Sequence, residues 1–231
     1  MTTVHIAGDS TASRKRAADA PETGWGMALP LFLHRDLAVA NHAVNSRSSR
    51  SFIAEGRLAA ILGAAAPGDV LLVQFGHNDQ KTEDPSRCTE PWTTYQSFLR
   101  RYVAEARAHG LRPVLLTPVE RRGFDPGGRA VDTHGEYPAA MRALAEEQAV
   151  PLLDIHALTL ALWEKLGAEE TKRYFHWTET ERDDTHFNPP GAIAVARLVA
   201  TELLAKGVLS PREVRCLDAE IPGSRITWPE A

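Results

Sequence analysis

The protein has 231 residues, of which 43% are hydrophobic and 24% are charged, so its composition is that of a folded chain and not of a disordered one. Its 26 lysines and arginines against 30 aspartates and glutamates give a formal net charge of −4, which excludes the strongly basic surface typical of nucleic-acid-binding proteins. Its two cysteines, Cys88 and Cys216, are too few to cross-link a chain of this length, and we expect both to be free thiols.

Five short apolar runs predict five strands along the chain. These runs are Val4–Ala7, Leu37–Ala40, Val70–Phe75, Val114–Leu116 and Leu152–Leu153. Runs that are apolar on both faces are expected in a parallel sheet that helices cover on each side.

Between these runs, longer stretches show helical patterns of apolar residues. The main ones are Gly26–His34, Phe52–Ala65, Tyr95–His109, Pro138–Gln148 and Ile193–Ala205. Alternation of strands and helices predicts an α/β fold, built as a three-layer α/β/α sandwich. We expect a single domain over residues 1–231, with about 210–231 as a C-terminal extension whose structure the weak periodicity leaves open.

The N-terminal residues show neither the basic nor the apolar segment of a signal peptide. No apolar run approaches the ~18 residues that a membrane-spanning helix requires. From these two features we expect a cytoplasmic protein without a membrane partner.

Polar segments follow the first three predicted strands. They are Gly8–Thr11, Asn45–Ser48 and Gly76–Asp79, and a fourth polar segment, Asp183–His186, lies in a predicted turn before the last helix. Ligands of open parallel sheets bind beyond the carboxyl ends of the strands, so we expect these four segments to converge at one edge.

The residue types in these segments fit ester hydrolysis, which needs a nucleophile, a base and donors to an oxyanion. Ser10 is the candidate nucleophile, although a serine here is also a common helix N-cap. His186 is the candidate base, and the sequence leaves open whether Asp183 or Asp184 orients its ring. Asn78 is the candidate side-chain donor to the oxyanion, with an Asx turn as the plainer alternative.

With these segments, the chain resembles the SGNH (GDSL) hydrolases, and within them the rhamnogalacturonan acetylesterases and their bacterial relatives. The likeness extends over about Val4–Leu204 and includes Gly24–Gly26, Asn41–Val44, Arg47–Phe52 and Thr117–Val119. The resemblance implies a flavodoxin-like parallel sheet of about five strands, no cofactor, and an acetylated oligosaccharide derived from pectin as substrate. It makes Ser10 the nucleophile, His186 the base and Asp183 its partner.

The resemblance also implies an oxyanion hole formed by the Ser10 N–H, the N–H at position 46 and the Asn78 amide. The chain departs from the family pattern here, because the family has glycine where this chain has Ser46. Serine supplies the same backbone N–H, but it adopts a positive φ at a cost, and its side chain adds bulk beside the acyl group.

Six further residues are candidates for substrate binding. Asp9 and Thr11 flank the candidate nucleophile, and His77 precedes Asn78. Trp25 is predicted to stack on a sugar or to cover the sheet edge, and Arg47 and Arg121 to bind a carboxylate or hydroxyl or simply to face solvent.

Three other functions remain compatible with the sequence. A metal-dependent hydrolase would use Asp9, Asp79, Asp183 or Asp184, and His186, although their spacing matches no metal-binding pattern, and we expect no metal. A lipid esterase or thioesterase would share the fold. A carbohydrate-binding relative with weak or no activity would result if Ser46 disrupts the oxyanion hole.

Overall fold

In the computed structural model, which describes residues 2–230, the five apolar runs form one parallel sheet with strand order β2-β1-β3-β4-β5. The strands are β1 Thr2–Gly8, β2 Leu37–Asn41, β3 Val70–Gln74, β4 Arg112–Leu116 and β5 Leu152–Leu153. The register pairs Ile6 of β1 with Asn41 on one side and with Leu72 on the other. All five predicted strands are therefore present, and the sheet is parallel throughout.

Seven helices accompany the sheet in the described part of the chain. They are α1 Trp25–Ala28, α2 Ser49–Ala54, α3 Arg57–Ala64, α4 Gln96–Ala108, α5 Tyr137–Glu147, α6 Ile155–Thr171 and α7 Pro189–Ala205. Short 3₁₀ turns span Ala17–Asp19, Leu29–Leu31, Lys172–Tyr174 and Gly223–Arg225, and a π-helical turn spans Pro91–Tyr95.

Two apolar clusters lie on opposite faces of the sheet. One contains Ile6 and Leu72 of the sheet with side chains from α1, α6 and α7, and the other contains Leu71 and Val73 with side chains from α2 to α5. Neighbouring residues of one strand point to opposite faces, so β1, β3, β4 and β5 contribute to both clusters. This arrangement is the predicted three-layer α/β/α sandwich.

Two predicted helices differ from the structure, and a third helix was missed. The predicted helix Phe52–Ala65 is two helices, α2 and α3, because the chain turns at Gly56, which has φ 73°. The predicted helix Gly26–His34 is only one turn of α-helix followed by a 3₁₀ turn that contains Pro30. Helix α6 was not predicted at all, and it bends at Gly167, whose φ is 76°.

The segment Asp183–His186 lies in a strand and not in the predicted turn. Strand β7, Arg182–Phe187, pairs antiparallel with β6, Phe175–Trp177, to form a two-stranded hairpin. The hairpin leads directly into α7, where the Asn188 side chain accepts a hydrogen bond from the Gly191 N–H at 3.3 Å.

The segment after Ser210 packs along the body of the protein. Val214 forms a bridge with Leu33, Ile226 is buried, and the Trp228 indole donates to the Glu22 carbonyl at 2.8 Å. No helix within residues 2–230 combines the length and the apolar character needed to cross a membrane. Cys88 and Cys216 are both free, as predicted.

Candidate active site

Ser10 lies in a tight turn at the carboxyl end of β1. The Asp9 carbonyl accepts hydrogen bonds from the Ala12 and Ser13 N–H groups at 3.2 and 3.1 Å, which close the turn around Ser10. Within the described chain, no helix begins at Ser10 or Thr11, so neither residue serves as the N-cap that the sequence allowed. The turn holds the Ser10 hydroxyl above the edge of the sheet.

His186 connects Ser10 to Asp183. The Ser10 Oγ lies 2.8 Å from His186 Nε2, and His186 Nδ1 lies 2.6 Å from Asp183 Oδ2. The other Asp183 oxygen accepts the backbone N–H groups of Thr185 and His186 at 2.7 and 2.9 Å. Hydroxyl, imidazole and carboxylate thus form one continuous line of hydrogen bonds.

The pKa of Asp183 is strongly affected by this position. Burial alone would raise it, but the His186 ring and the two backbone N–H groups stabilise the carboxylate and lower the pKa to about 2. Asp183 is therefore ionised at any pH near neutrality, which favours the His186 tautomer that carries its proton on Nδ1 and leaves Nε2 free to accept one.

Asp183 and Asp184 have separate partners, although the sequence left open which of them orients the His186 ring. Asp184 accepts hydrogen bonds from Arg122 at 3.0 Å and from the Trp177 indole at 2.9 Å. These contacts hold β6, β7 and the loop after β4 together, and Asp183 alone contacts the imidazole.

The loop after β2 brings Ser46 to the same pocket. Ser46 has φ 65°, the left-handed conformation that glycine adopts without a steric penalty. The Asn78 amide donates to the Arg47 carbonyl at 3.1 Å, and Arg87 approaches the Asn78 oxygen at 3.4 Å. These contacts join the loop after β2, which carries Ser46, to the loop after β3, which carries Asn78. Both residues therefore lie beside Ser10.

Asp79 anchors these two loops from behind. Its carboxyl group is fully buried and accepts hydrogen bonds from the N–H and hydroxyl of Ser49 and from the Thr89 hydroxyl. Burial raises the pKa of Asp79 to about 7, against the opposing effect of these donors.

A pocket of about 270 Å³ opens over Ser10, and every residue that lines it is polar or charged. The lining residues are Ser10, Glu22, Asn45, Ser46, His77, Asn78, Lys81, Arg87, Arg121, Thr185 and His186. Five of them were not singled out as site residues from the sequence. Asn45 and Thr185 belong to polar segments that were expected at this edge, whereas Glu22, Lys81 and Arg87 lie outside those segments.

Two of the six predicted substrate-binding residues, His77 and Arg121, line the pocket. Arg121 donates to the Thr133 hydroxyl at 3.1 Å, and Thr133 in turn donates to the buried Glu120 carboxylate. Arg47 instead pairs with Glu55 at 3.1 Å and donates to the Asn45 carbonyl at 2.9 Å. Its guanidinium thus braces the loop and does not line the pocket.

The other three, Asp9, Thr11 and Trp25, are buried beneath the pocket. The Trp25 indole donates to Gln74 at 2.7 Å and its ring is 0% exposed, so of the two roles that the sequence allowed it packs at the sheet edge and does not stack on a sugar. Thr11 donates to Asp9 through its N–H and its hydroxyl, at 2.9 and 2.7 Å. These groups support the Ser10 turn from below.

Asp9 also lies 3.1 Å from His77 Nδ1, forming a second carboxylate–imidazole pair next to Ser10. Burial lowers the pKa of His77, although Asp9 opposes that effect. Burial thus favours the neutral form of this imidazole.

The residues of the metal-dependent alternative are not gathered around one point. Asp79 lies behind the Asn78 loop, Asp9 lies under Ser10, and Asp183 lies on the far side of the imidazole. Within residues 2–230, the one group of three acidic or histidine side chains close enough to share an ion is Glu120, Asp132 and His156, which includes none of them.

Comparison with known proteins identifies relatives along most of the chain. The model of the GDSL-like lipase/acylhydrolase family matches residues 6–192. Rhamnogalacturonan acetylesterase RhgT of Bacillus subtilis (strain 168) is 45% identical over 206 residues, covering 85% of this chain and 87% of that protein. A second relative from the same organism, YesY, is 39% identical over 205 residues, covering 89% and 94%. The crystal structure of the B. subtilis protein YxiM superposes with a TM-score of 0.80 at 30% identity, covering 90% of this chain and 57% of that one.

Proposed function

We propose that this chain, which belongs to the GDSL-like lipase/acylhydrolase family and is a carboxylic ester hydrolase, removes acetyl groups from pectin-derived rhamnogalacturonan oligosaccharides. The observation that carries the proposal is the line from Ser10 Oγ through His186 to Asp183, with contacts of 2.8 and 2.6 Å. These distances are in the range at which a base can take a proton from a nucleophile.

In the proposed reaction, Ser10 Oγ attacks the acetyl carbonyl carbon while His186 Nε2 takes the hydroxyl proton. The tetrahedral intermediate collapses, the sugar oxygen leaves with that proton, and the acetyl group stays on Ser10 as an ester. Water then attacks this ester with His186 as base, and acetate and free Ser10 result. Asp183 stabilises the imidazolium that forms in each half of the reaction.

The negative charge of each intermediate falls on the former carbonyl oxygen. We assign its stabilisation to the Ser10 and Ser46 N–H groups and the Asn78 amide, which lie together at the pocket. Donors of this kind each contribute about 10²–10³ in kcat. The left-handed backbone at Ser46 is the conformation available to the glycine of the family pattern, so the substitution leaves the N–H in place.

The assignment to an acidic carbohydrate rests on the charge of the lining and on the relatives. Lys81, Arg87 and Arg121 supply three cationic side chains around the pocket, which suit a substrate that carries uronate groups. RhgT, at 45% identity, is by name a rhamnogalacturonan acetylesterase.

A lipid esterase or thioesterase fits the pocket less well. A long acyl chain needs an apolar channel to replace its contact with water, and the described lining of this pocket is polar throughout. Hydrolysis rates on 4-nitrophenyl acetate and 4-nitrophenyl octanoate test this point, and we expect the acetate ester to be preferred.

The substrate is tested by acetate release from acetylated rhamnogalacturonan oligosaccharides beside acetylated xylo-oligosaccharides. We expect a higher kcat/KM on the rhamnogalacturonan series. Preference for the xylose series would contradict the sugar assignment, and release from neither by the folded protein would contradict an acetylesterase of carbohydrates.

A further inference from the structure

The pocket contains a carboxylate that the proposed reaction does not use. Glu22 lies in the loop before α1, its side chain is 20% exposed, and it is the only acid among the described residues of the lining. Its Oε1 lies 4.0 Å from His186 Nε2, the atom that exchanges protons with Ser10 and with the leaving sugar oxygen.

Glu22 is held in place from several sides. Lys15 Nζ lies 2.6 Å from Glu22 Oε1 and donates to Asn45 Oδ1 at 2.7 Å, and the lysine side chain is only 1% exposed. The Glu22 carbonyl accepts the Trp228 indole at 2.8 Å. The next residue, Thr23, donates its N–H to the Phe187 carbonyl at 2.7 Å, which fixes the loop to the hairpin that carries His186.

The contact with Lys15 leaves the Glu22 carboxylate able to accept a further hydrogen bond. Oε1 faces the Lys15 ammonium, a buried cation that requires an anionic partner. A carboxylate oxygen can accept more than one hydrogen bond, so Glu22 retains acceptor capacity toward the pocket that it lines.

The position of this acceptor matches a particular part of a sugar. The leaving oxygen must come within about 2.6–3.2 Å of His186 Nε2 to receive its proton. A hydroxyl on the adjacent ring carbon lies beside that oxygen, and Glu22 Oε1, 4.0 Å from the same Nε2, is close enough to accept a hydrogen bond from it. A carboxylate accepts a hydrogen bond from such a hydroxyl more strongly than a neutral group does.

We propose that Glu22, fixed by Lys15, is a specificity-determining residue that accepts a hydrogen bond from the free hydroxyl next to the acetylated position. This inference rests on the proposed function. It identifies the substrate class as acetyl esters of vicinal diols, in which a free hydroxyl adjoins the ester. The contact aligns the leaving oxygen with His186, so it acts on transition-state binding of sugar esters and not on simple phenyl esters.

The test compares wild type with Glu22→Gln, which keeps the size of the side chain and an oxygen for Lys15. Three substrates are used: methyl 2-O-acetyl-galacturonide with its 3-hydroxyl free, the matching 3-deoxy compound, and 4-nitrophenyl acetate. Glu147→Gln is the matched control, because Glu147 pairs with Arg100 on the exposed helical surface away from the pocket.

We expect wild type and Glu147→Gln to prefer the hydroxyl compound over the deoxy compound by at least about tenfold in kcat/KM. Glu22→Gln is expected to reduce that preference to below about threefold, because its kcat/KM falls more on the hydroxyl compound than on the deoxy compound or on 4-nitrophenyl acetate. Retention of the full preference by Glu22→Gln, or an equal loss on all three substrates, would overturn the inference.

In Glu22→Gln, the buried Lys15 loses its anionic partner, which could destabilise the fold, so a second variant removes both charges. Lys15→Met combined with Glu22→Gln removes the ammonium along with the carboxylate, and it is expected to show the same loss of preference. If wild type cleaves 4-nitrophenyl acetate but neither sugar, this result overturns both the carbohydrate assignment and this inference. Wild type that cleaves both sugars equally well overturns only the inference.

Discussion

Asp183 and Asp184 are neighbours in strand β7, and their carboxylates have different structural tasks. The Asp183 side chain bonds the His186 imidazole, whereas Asp184 bonds Arg122 and Trp177. Spacing along the chain could not separate them, because either carboxylate is close enough in sequence to reach the ring. The hairpin directs the Asp183 side chain to the His186 ring and the Asp184 side chain to Arg122 and Trp177, which assigns the role to Asp183.

Asp183→Asn is expected to lower kcat by about 10³–10⁴, because an amide at this position no longer fixes the required tautomer or stabilises the imidazolium. Asp184→Asn is the matched control, and its kcat is expected to stay within about tenfold of wild type. Steady-state kinetics on an acetyl ester, with circular dichroism to check folding, measure both. Equal losses in the two variants would count against Asp183 as the partner of His186.

Ser46 is the residue at which this chain differs from the family pattern. Its φ of 65° costs a residue with a side chain about 1–2 kcal/mol, whereas glycine avoids this penalty but loses more backbone freedom on folding. Ser46→Gly is therefore expected to keep or raise kcat, with a change of less than about 1 kcal/mol in the free energy of unfolding. Kinetics and urea denaturation measure the two quantities. A kcat reduced by more than about tenfold would mean that the loop depends on the serine side chain.

Among the elements, the strands of the central sheet were predictable because each is short, continuous and apolar, as burial on both faces requires. Helix α6 was not, because its apolar residues are spread around the helix and do not form one stripe. Strand β7 is largely polar, and it forms a strand through pairing with β6 and through the hydrogen bonds to Asp183. Such a strand has no periodicity of its own to detect.

The junction between α2 and the loop after β3 contains a buried acid with an unusual pKa. Asp79 binds Ser49 at the start of α2, and burial raises its pKa to about 7. An unfolded aspartate titrates near 3.9, so between about pH 4 and 7 the folded protein binds a proton that the unfolded chain has lost. The contribution of this group to stability is therefore greatest at low pH and declines as the pH rises through this range.

Comparison of wild type with Asp79→Asn isolates this effect, because asparagine does not titrate. The free energy of unfolding of wild type is expected to fall relative to that of the variant, by on the order of 2 kcal/mol between pH 5 and pH 8. Urea denaturation at both pH values gives the difference. A difference between the two proteins that does not change with pH would contradict a raised pKa for Asp79.

On the scale of the whole molecule, the site is assembled from residues distant in sequence. Ser10 and His186 are 176 positions apart, and the parallel topology brings the carboxyl ends of β1, β2 and β3 to one edge. That convergence was predictable from the order of strands and polar segments. The roles of Glu22 and the buried Trp25 were not, because they depend on how the loops between strands fold over this edge.

The C-terminal segment also contributes to the edge, although the weak periodicity of its sequence left its structure open. Trp228 holds the Glu22 loop, and the Pro229 carbonyl accepts the Ala17 N–H at 3.0 Å. The loop that carries Lys15 and Glu22 is thus fixed between the hairpin before α7 and the end of the chain. Both contacts join residues more than 200 positions apart, which local patterns cannot predict.

The central claim is that Ser10 is the nucleophile of an acetylesterase, and acetate release by wild type and Ser10→Ala tests it most directly. Both proteins are incubated with acetylated rhamnogalacturonan oligosaccharides, and circular dichroism establishes that both are folded. We expect release by wild type and a rate lower by at least about 10³ for Ser10→Ala, since removing the nucleophile leaves only binding and the oxyanion donors. A folded Ser10→Ala protein that releases acetate at a rate near that of wild type would contradict the account.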